Sequence, residues 1–168
     1  MKGVHSVQED AEIEMIHLYD YTYTGCKSCF TCQRKNGKPL ECAVCDDIHD
    51  ILKGAFDSDG IIFATPIYFH DISAQLRGFL ERLMYPGVSP KDVPTALIYT
   101  MNATEQQMEE FHFETNLATS KLFLGHTFHV TPEQIFAFNT YQHKNYDDYR
   151  STRHNEAEKR AWHKRASV

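Results

Sequence analysis

Five cysteines, Cys26, Cys29, Cys32, Cys42 and Cys45, lie within a twenty-residue stretch of this 168-residue chain, and none occurs elsewhere. Their spacing, C-x2-C-x2-C-x9-C-x2-C, admits several thiol chemistries. A C-x2-C-x2-C run suits thiolate ligation of a [4Fe–4S] cluster, with Cys42, after nine intervening residues, as the fourth ligand. Cys26, Cys29, Cys42 and Cys45 also form two C-x2-C pairs with twelve residues between them, close to a structural zinc arrangement. A redox disulfide is a third chemistry, and a permanent one is disfavoured in a reducing cytosol. The plainest reading is a loop of reduced thiols without a metal. The polar residues 33–41, with Gly37 and Pro39, read as a flexible excursion. Asp46-Asp47 read as the acidic first turn of a helix, where carboxylates favour the dipole, and not as metal ligands.

A second stretch, Gly60 to Phe79 (GIIFATPIYFHDISAQLRGF), reads as a buried strand, an aromatic loop and an amphipathic helix. Ile61–Ala64 is a continuous apolar run of the kind a parallel sheet covers on both faces. Thr65-Pro66 is expected to break it, because proline cannot donate to a ladder. In open α/β sheets ligands bind beyond the carboxyl ends of the strands. A loop there carrying Thr65, Pro66, Ile67, Tyr68, Phe69 and His70 suits a flat, partly apolar ligand. Thr100, Met101 and Asn102 end another strand on the same edge and form a second wall. The ten histidines are scattered. His126 and His129 are close in sequence, but no carboxylate cluster accompanies them, so no histidine metal site is expected.

The elements that must position these residues follow from periodicity. Ile13–Leu18 reads as a strand, and residues 46–56 as a helix with Ile48, Ile51, Leu52 and Phe56 on one stripe. Residues 60–65 form a strand and 71–85 a helix, with Ile72, Leu76, Phe79, Leu80 and Leu83 at helical spacing. Thr95–Thr100 is a buried strand. Thr104, with Gln107 at the capping-box position, opens a helix that runs to Leu124 and ends at Gly125. Residues 134–139 form the last strand, and residues 146–166 read as a polar helix. Strands alternating with helices predict a doubly wound, mostly parallel sheet with helices on both faces, in a single domain over residues 1–168. A hydrophobic fraction of 42% supplies a proper core, and a net charge of −6 disfavours nucleic acid as partner. No apolar stretch approaches a membrane span, and residues 1–14 contain no apolar signal-type run, so the default location is the cytoplasm.

Three segments together resemble the flavodoxin-like, NAD(P)H-dependent FMN reductase family. TPIYFHDISAQLRGFLERL is similar to its second flavin-contacting loop. Tyr23–Cys32 with Cys42-Ala-Val-Cys-Asp-Asp resembles a cysteine-bearing segment of many members. Ala96-Leu-Ile-Tyr-Thr-Met-Asn-Ala-Thr resembles the strand and loop that cover the flavin from another side. The similarity runs from about Ile13 to about Tyr141. It implies a flavodoxin-like α/β fold, FMN as cofactor, NAD(P)H as co-substrate and hydride transfer to a flavin, quinone or other small acceptor. It also implies a homodimer or homotetramer. The cofactor-binding residues it implies are Thr65, Pro66, Ile67, Tyr68, Phe69, His70, Thr100, Met101 and Asn102. No catalytic acid or base is needed, because the cofactor performs the redox step. Members usually carry glycine where His70 stands, so a positive φ there would be strained.

The family's first strand and phosphate-holding loop are missing before Ile13. Truncation is the favoured explanation. The others are a substitute segment or partner subunit, and loss of flavin binding. Two alternative functions follow from these features: an iron–sulfur flavoprotein electron carrier using the Cys26–Cys45 segment, and a flavin-free remnant of the fold acting as a binding module.

Overall fold

In a computed structural model of the chain, Val4, Ser6 and residues 8–140 are described. The helix expected over 146–166 lies outside them. The architecture is α/β: α1 (His49–Asp57), β1 (Ile61–Tyr68), β2 (Asp71–Ile72), α2 (Ala74–Met84), β3 (Thr95–Thr100), α3 (Glu105–Glu110), α4 (Phe113–Phe128) and β4 (Glu133–Ala137). The sheet order is β2-β1-β3-β4. β1, β3 and β4 run parallel, with Phe63 opposite Leu97 and Leu97 opposite Gln134. β2 pairs antiparallel with the end of β1.

Strand pleating explains which residues become core. Phe63 and Thr65 of β1, and Leu97 and Tyr99 of β3, point to one face and are buried. Leu52 and Phe56 of α1, Leu76, Phe79, Leu80 and Leu83 of α2, and Phe113, Leu117, Leu124 and Phe128 of α4 join them in one cluster. The rings of Phe63 and Phe79 lie 6.5 Å apart, and those of Phe56 and Phe128 5.6 Å. On the opposite face Ile62 is 56% exposed and Ile135 37% exposed. Among the described residues, therefore, the helices cover one face of the sheet and leave the other open.

The strand expected over Ile13–Leu18 does not form; the segment leads into a short 3-10 turn, Leu18–Asp20. A strand exists only through a neighbour's ladder, and Ile13–Leu18 pairs with none of the four strands of the sheet. Pro66 does not end its strand either, since β1 continues to Tyr68. The parity of the ladder explains this. The Ile61 amide donates to the Pro94 carbonyl at 3.0 Å, so the odd-numbered residues of β1 hydrogen-bond towards β3. The even-numbered ones face the outer edge, where β2 begins to pair only at Ile67 and Tyr68. The N–H that Pro66 lacks falls on that edge.

The helix expected over 104–124 is two helices. Thr104 and Gln107 form the capping box of α3, with the Gln107 amide donating to Thr104 Oγ1 at 3.1 Å and Gln107 Oε1 accepting from the Thr104 amide at 3.0 Å. His112, at φ 53, then breaks the run and turns Phe113 into the core. Gly125 does not end α4. It lies inside the helix, where a Cβ would sit 3.5 Å from Pro132 of the returning chain. Replacing Thr104 with alanine is expected to cost about 1 kcal/mol, read from a urea melt. A loss near zero would mean that α3 is held by packing alone.

Candidate functional site

The chain reverses between β1 and β2 through a two-residue turn, with Tyr68 opposite Asp71 and Phe69-His70 at its tip. Both tip residues are left-handed, Phe69 at φ 50 and His70 at φ 65. This is the type I′ hairpin geometry, which glycine and asparagine ordinarily supply. A phenylalanine held there is strained by roughly 1–2 kcal/mol. Its side chain recovers nothing from packing, because it is fully exposed.

Neighbouring contacts hold the strained turn. His70 stacks on Phe113 at 4.1 Å and on Phe111 at 5.7 Å, both near parallel. Asn116 Nδ2 donates to the His70 carbonyl at 3.3 Å. At the base of the hairpin, Asp71 Oδ1 accepts the Ile72 amide at 2.8 Å while its other oxygen pairs with Arg77. Thr65 Oγ1 accepts the Ser73 amide at 3.1 Å, and Ser73 caps α2 by accepting the Leu76 amide. The strand end, hairpin and helix start thus form one hydrogen-bonded corner.

The nine residues read from sequence as cofactor-binding are gathered on this sheet edge but divide in kind. Tyr68, Phe69, His70 and Asn102 are exposed. Pro66, Ile67 and Thr100 are half-buried, with Pro66 opposite Thr100 in the ladder. Thr65 and Met101 are buried, Thr65 in the corner network and Met101 in the core. Their side chains serve the scaffold. Phe111 and Phe113 were not singled out by sequence, because no local pattern ties them to a residue forty positions upstream. Their contribution is to clamp His70.

The cysteine segment packs on the outer side of α2. Gly25 and Gly78 allow the close approach, since a Cβ on Gly78 would come within 3.4 Å of the Gly25 backbone. Arg82, whose side chain is wholly buried, organises the segment. Its Nε donates to Cys42 Sγ at 3.4 Å, Nη1 to the Thr24 carbonyl at 3.3 Å and to Asp46 Oδ2 at 2.5 Å, and Nη2 to the Val44 carbonyl at 2.7 Å. Burial opposes the charge, but the hydrogen bonds to Asp46 and Cys42 outweigh it and hold the guanidinium's pKa above its ordinary value. Arg82 falls four residues after Gly78, on the side of α2 where the cysteine segment docks and off the Leu76–Phe79–Leu80–Leu83 stripe, so periodicity does not mark it as buried.

Cys26, Cys29, Cys32 and Cys42 line one small cavity beside Arg82, while Cys45 stands outside it. All five thiols are free. The donor set is soft enough for iron or zinc, but the cavity offers only about 20 Å³, room for a single water-sized group. Among the described residues no group of cysteine, histidine or carboxylate side chains is arranged to hold a metal ion. As arranged, these residues do not fit a four-iron cluster.

The family described as NADPH-dependent FMN reductase matches residues 4–143. An iron–sulfur flavoprotein of Methanocaldococcus jannaschii is 39% identical over 75 residues, which is 45% of this chain and 37% of that protein. An iron–sulfur flavoprotein of Archaeoglobus fulgidus is 30% identical over 79 residues, 47% of this chain and 34% of that protein. The matches thus span about a third of the length of these relatives. The crystal structure of an azoreductase from Bacillus anthracis superposes with a TM-score of 0.65 at 15% identity, covering 99% of this chain and 85% of that one. At that identity the likeness is one of fold.

Proposed function

The chain belongs to the NADPH-dependent FMN reductase family, and from that premise we propose that it is an FMN-dependent oxidoreductase that takes a hydride from NAD(P)H and passes electrons to a small acceptor such as a flavin or quinone. The observation that carries the reading is the strained Phe69-His70 tip. Backbone strain on a bulky exposed residue persists only where the surroundings over-determine it, and it concentrates at ligand-binding positions.

FMN, when bound, supplies the hydride chemistry itself. The residues of this chain bind and orient it. In a two-residue turn the central amides point away from the ladder, so those of Phe69 and His70 offer N–H donors to the polar edge of a flat heterocycle. Phe69 offers a ring to cover one face. Thr100 and Asn102 close the opposite side of the edge. The ring-binding side therefore fits the cofactor, and no described residue is assigned to the phosphate. Self-association into a dimer or tetramer is part of this reading, with Ile62 and Ile135 on the uncovered sheet face as the apolar surface that favours it. No helix among the described residues is long and apolar enough to cross a membrane.

The test is direct titration with FMN, followed by flavin fluorescence and by the melting temperature. Binding should quench the fluorescence and raise the melting temperature, and added NADPH should bleach the bound flavin anaerobically. Saturating FMN with neither quenching nor thermal shift defeats the reading and favours a flavin-free binding module.

A further inference from the structure

The cysteines are a second chemical centre, separate from the hairpin. Cys29 is exposed and Cys32 half-buried, three residues apart at the start of the Thr31–Gln33 helical turn. Both line the cavity that also holds Cys26, Cys42, Arg82 and Tyr85. Its room for a single water-sized group leaves no space for a cluster at its centre. The segment is a folded platform, anchored on α2 by Arg82 and by Glu81 Oε2, which accepts the Cys26 amide at 3.1 Å.

We propose that Cys29 and Cys32 form a thiol–disulfide exchange site for low-molecular-weight disulfides, with Cys29 as the attacking thiolate and Cys32 as the resolving thiol. The backbone and then the side chain of neighbouring Thr31 favour the Cys29 thiolate and hold its thiol below the ordinary cysteine range. Burial first, and the neighbouring thiols of Cys42, Cys29 and Cys26 after it, push the Cys32 thiol up. Cys29 stands exposed at the rim and Cys32 half-buried on the same cavity, the outer and inner positions that stepwise exchange requires. Cys29 S⁻ attacks one sulfur of R–S–S–R, forming Cys29–S–S–R and releasing R–S⁻. Cys32 then attacks the Cys29 sulfur, and the second R–S⁻ leaves and takes the Cys32 proton. The protein loses two electrons and becomes the Cys29–Cys32 disulfide, and the small disulfide is reduced to two thiols.

The experiment uses the full-length reduced protein and an aromatic disulfide that releases a coloured thiolate. Cys45, also exposed but outside the cavity, is the internal reference. Cys29 should react at least tenfold faster than Cys45, and the product should be lighter by two hydrogens, with the bridge mapped to Cys29–Cys32. Cys29→Ser should abolish the fast phase. Cys32→Ser should keep it and stop at a mixed disulfide on Cys29. Cys45→Ser should change neither. Cys29 and Cys32 sit on the surface segment and not in the core, and an unchanged melting temperature confirms that each variant is folded. Equal rates at all exposed cysteines, a fast phase that survives Cys29→Ser, or stoichiometric iron and sulfide in anaerobically isolated protein each overturns the proposal. None of these outcomes depends on FMN binding, so the two readings fail separately.

Discussion

Arg82→Met is expected to lower stability by about 3–5 kcal/mol, the loss typical of removing one partner of a buried ion pair, and the melting temperature by roughly 10 °C. Methionine fills similar volume, so the effect isolates the lost donors. Asp46 Oδ1 is already buried without a partner, and the substitution would strip Oδ2 as well. The carbonyls of Thr24 and Val44 lose their donors at the same time. Arg82→Lys keeps the charge but only as a point, which cannot span acceptors on separate stretches of chain. It should recover about half of the loss. A second readout separates the organising role from plain stability. In folded Arg82→Met, Cys42 and Cys32 should react with a thiol reagent as readily as exposed Cys45. A loss under about 1 kcal/mol with protected thiols would show that the segment holds itself together without the guanidinium.

Phe69→Asn should move two properties in opposite directions. Asparagine tolerates the left-handed region, and the exposed phenylalanine contributes no packing to lose. Stability should therefore rise by about 0.5–1 kcal/mol. The stacking face for the flavin disappears, and FMN affinity should fall about five- to tenfold, as expected for an aromatic contact worth up to about 1.5 kcal/mol. His70→Gly is the matched control. It relieves the same kind of strain but forfeits the stack on Phe113 and Phe111, so its net stability change should be near zero. An unchanged FMN affinity in Phe69→Asn would remove Phe69 from the binding surface. A stability loss would mean that the tip is not left-handed in solution.

The two variants probe separate surfaces, since Arg82 and the cysteines lie on the outer side of α2 and the hairpin at the ends of β1 and β2. Their effects should add in the double variant.

Much of the fold was legible in the residues themselves. The β3 strand, the Thr104–Gln107 capping box and the α2 stripe from Leu76 to Leu83 formed where their patterns predicted, while Asp71–Ile72, read as the start of that helix, became β2. Each rests on contacts within a few residues, where side-chain period and capping chemistry act directly. The gathering of Pro66–His70 and Thr100–Asn102 on one edge was also legible, because parallel strands place their carboxyl ends together. Four features were decided only by the tertiary structure. Ile13–Leu18 has strand composition, but a ladder needs a neighbour. Pro66 stays within β1 because its missing donor falls on the outer edge. The helix after Thr104 breaks at His112, and Phe113 beyond the break reaches both the core and His70. Arg82 is buried because its acceptors, 36 to 58 residues upstream, arrive around it when the cysteine segment docks. In each case the deciding energy is a hydrogen bond or packing contact between residues distant in sequence, and composition and period carry no record of such a partner.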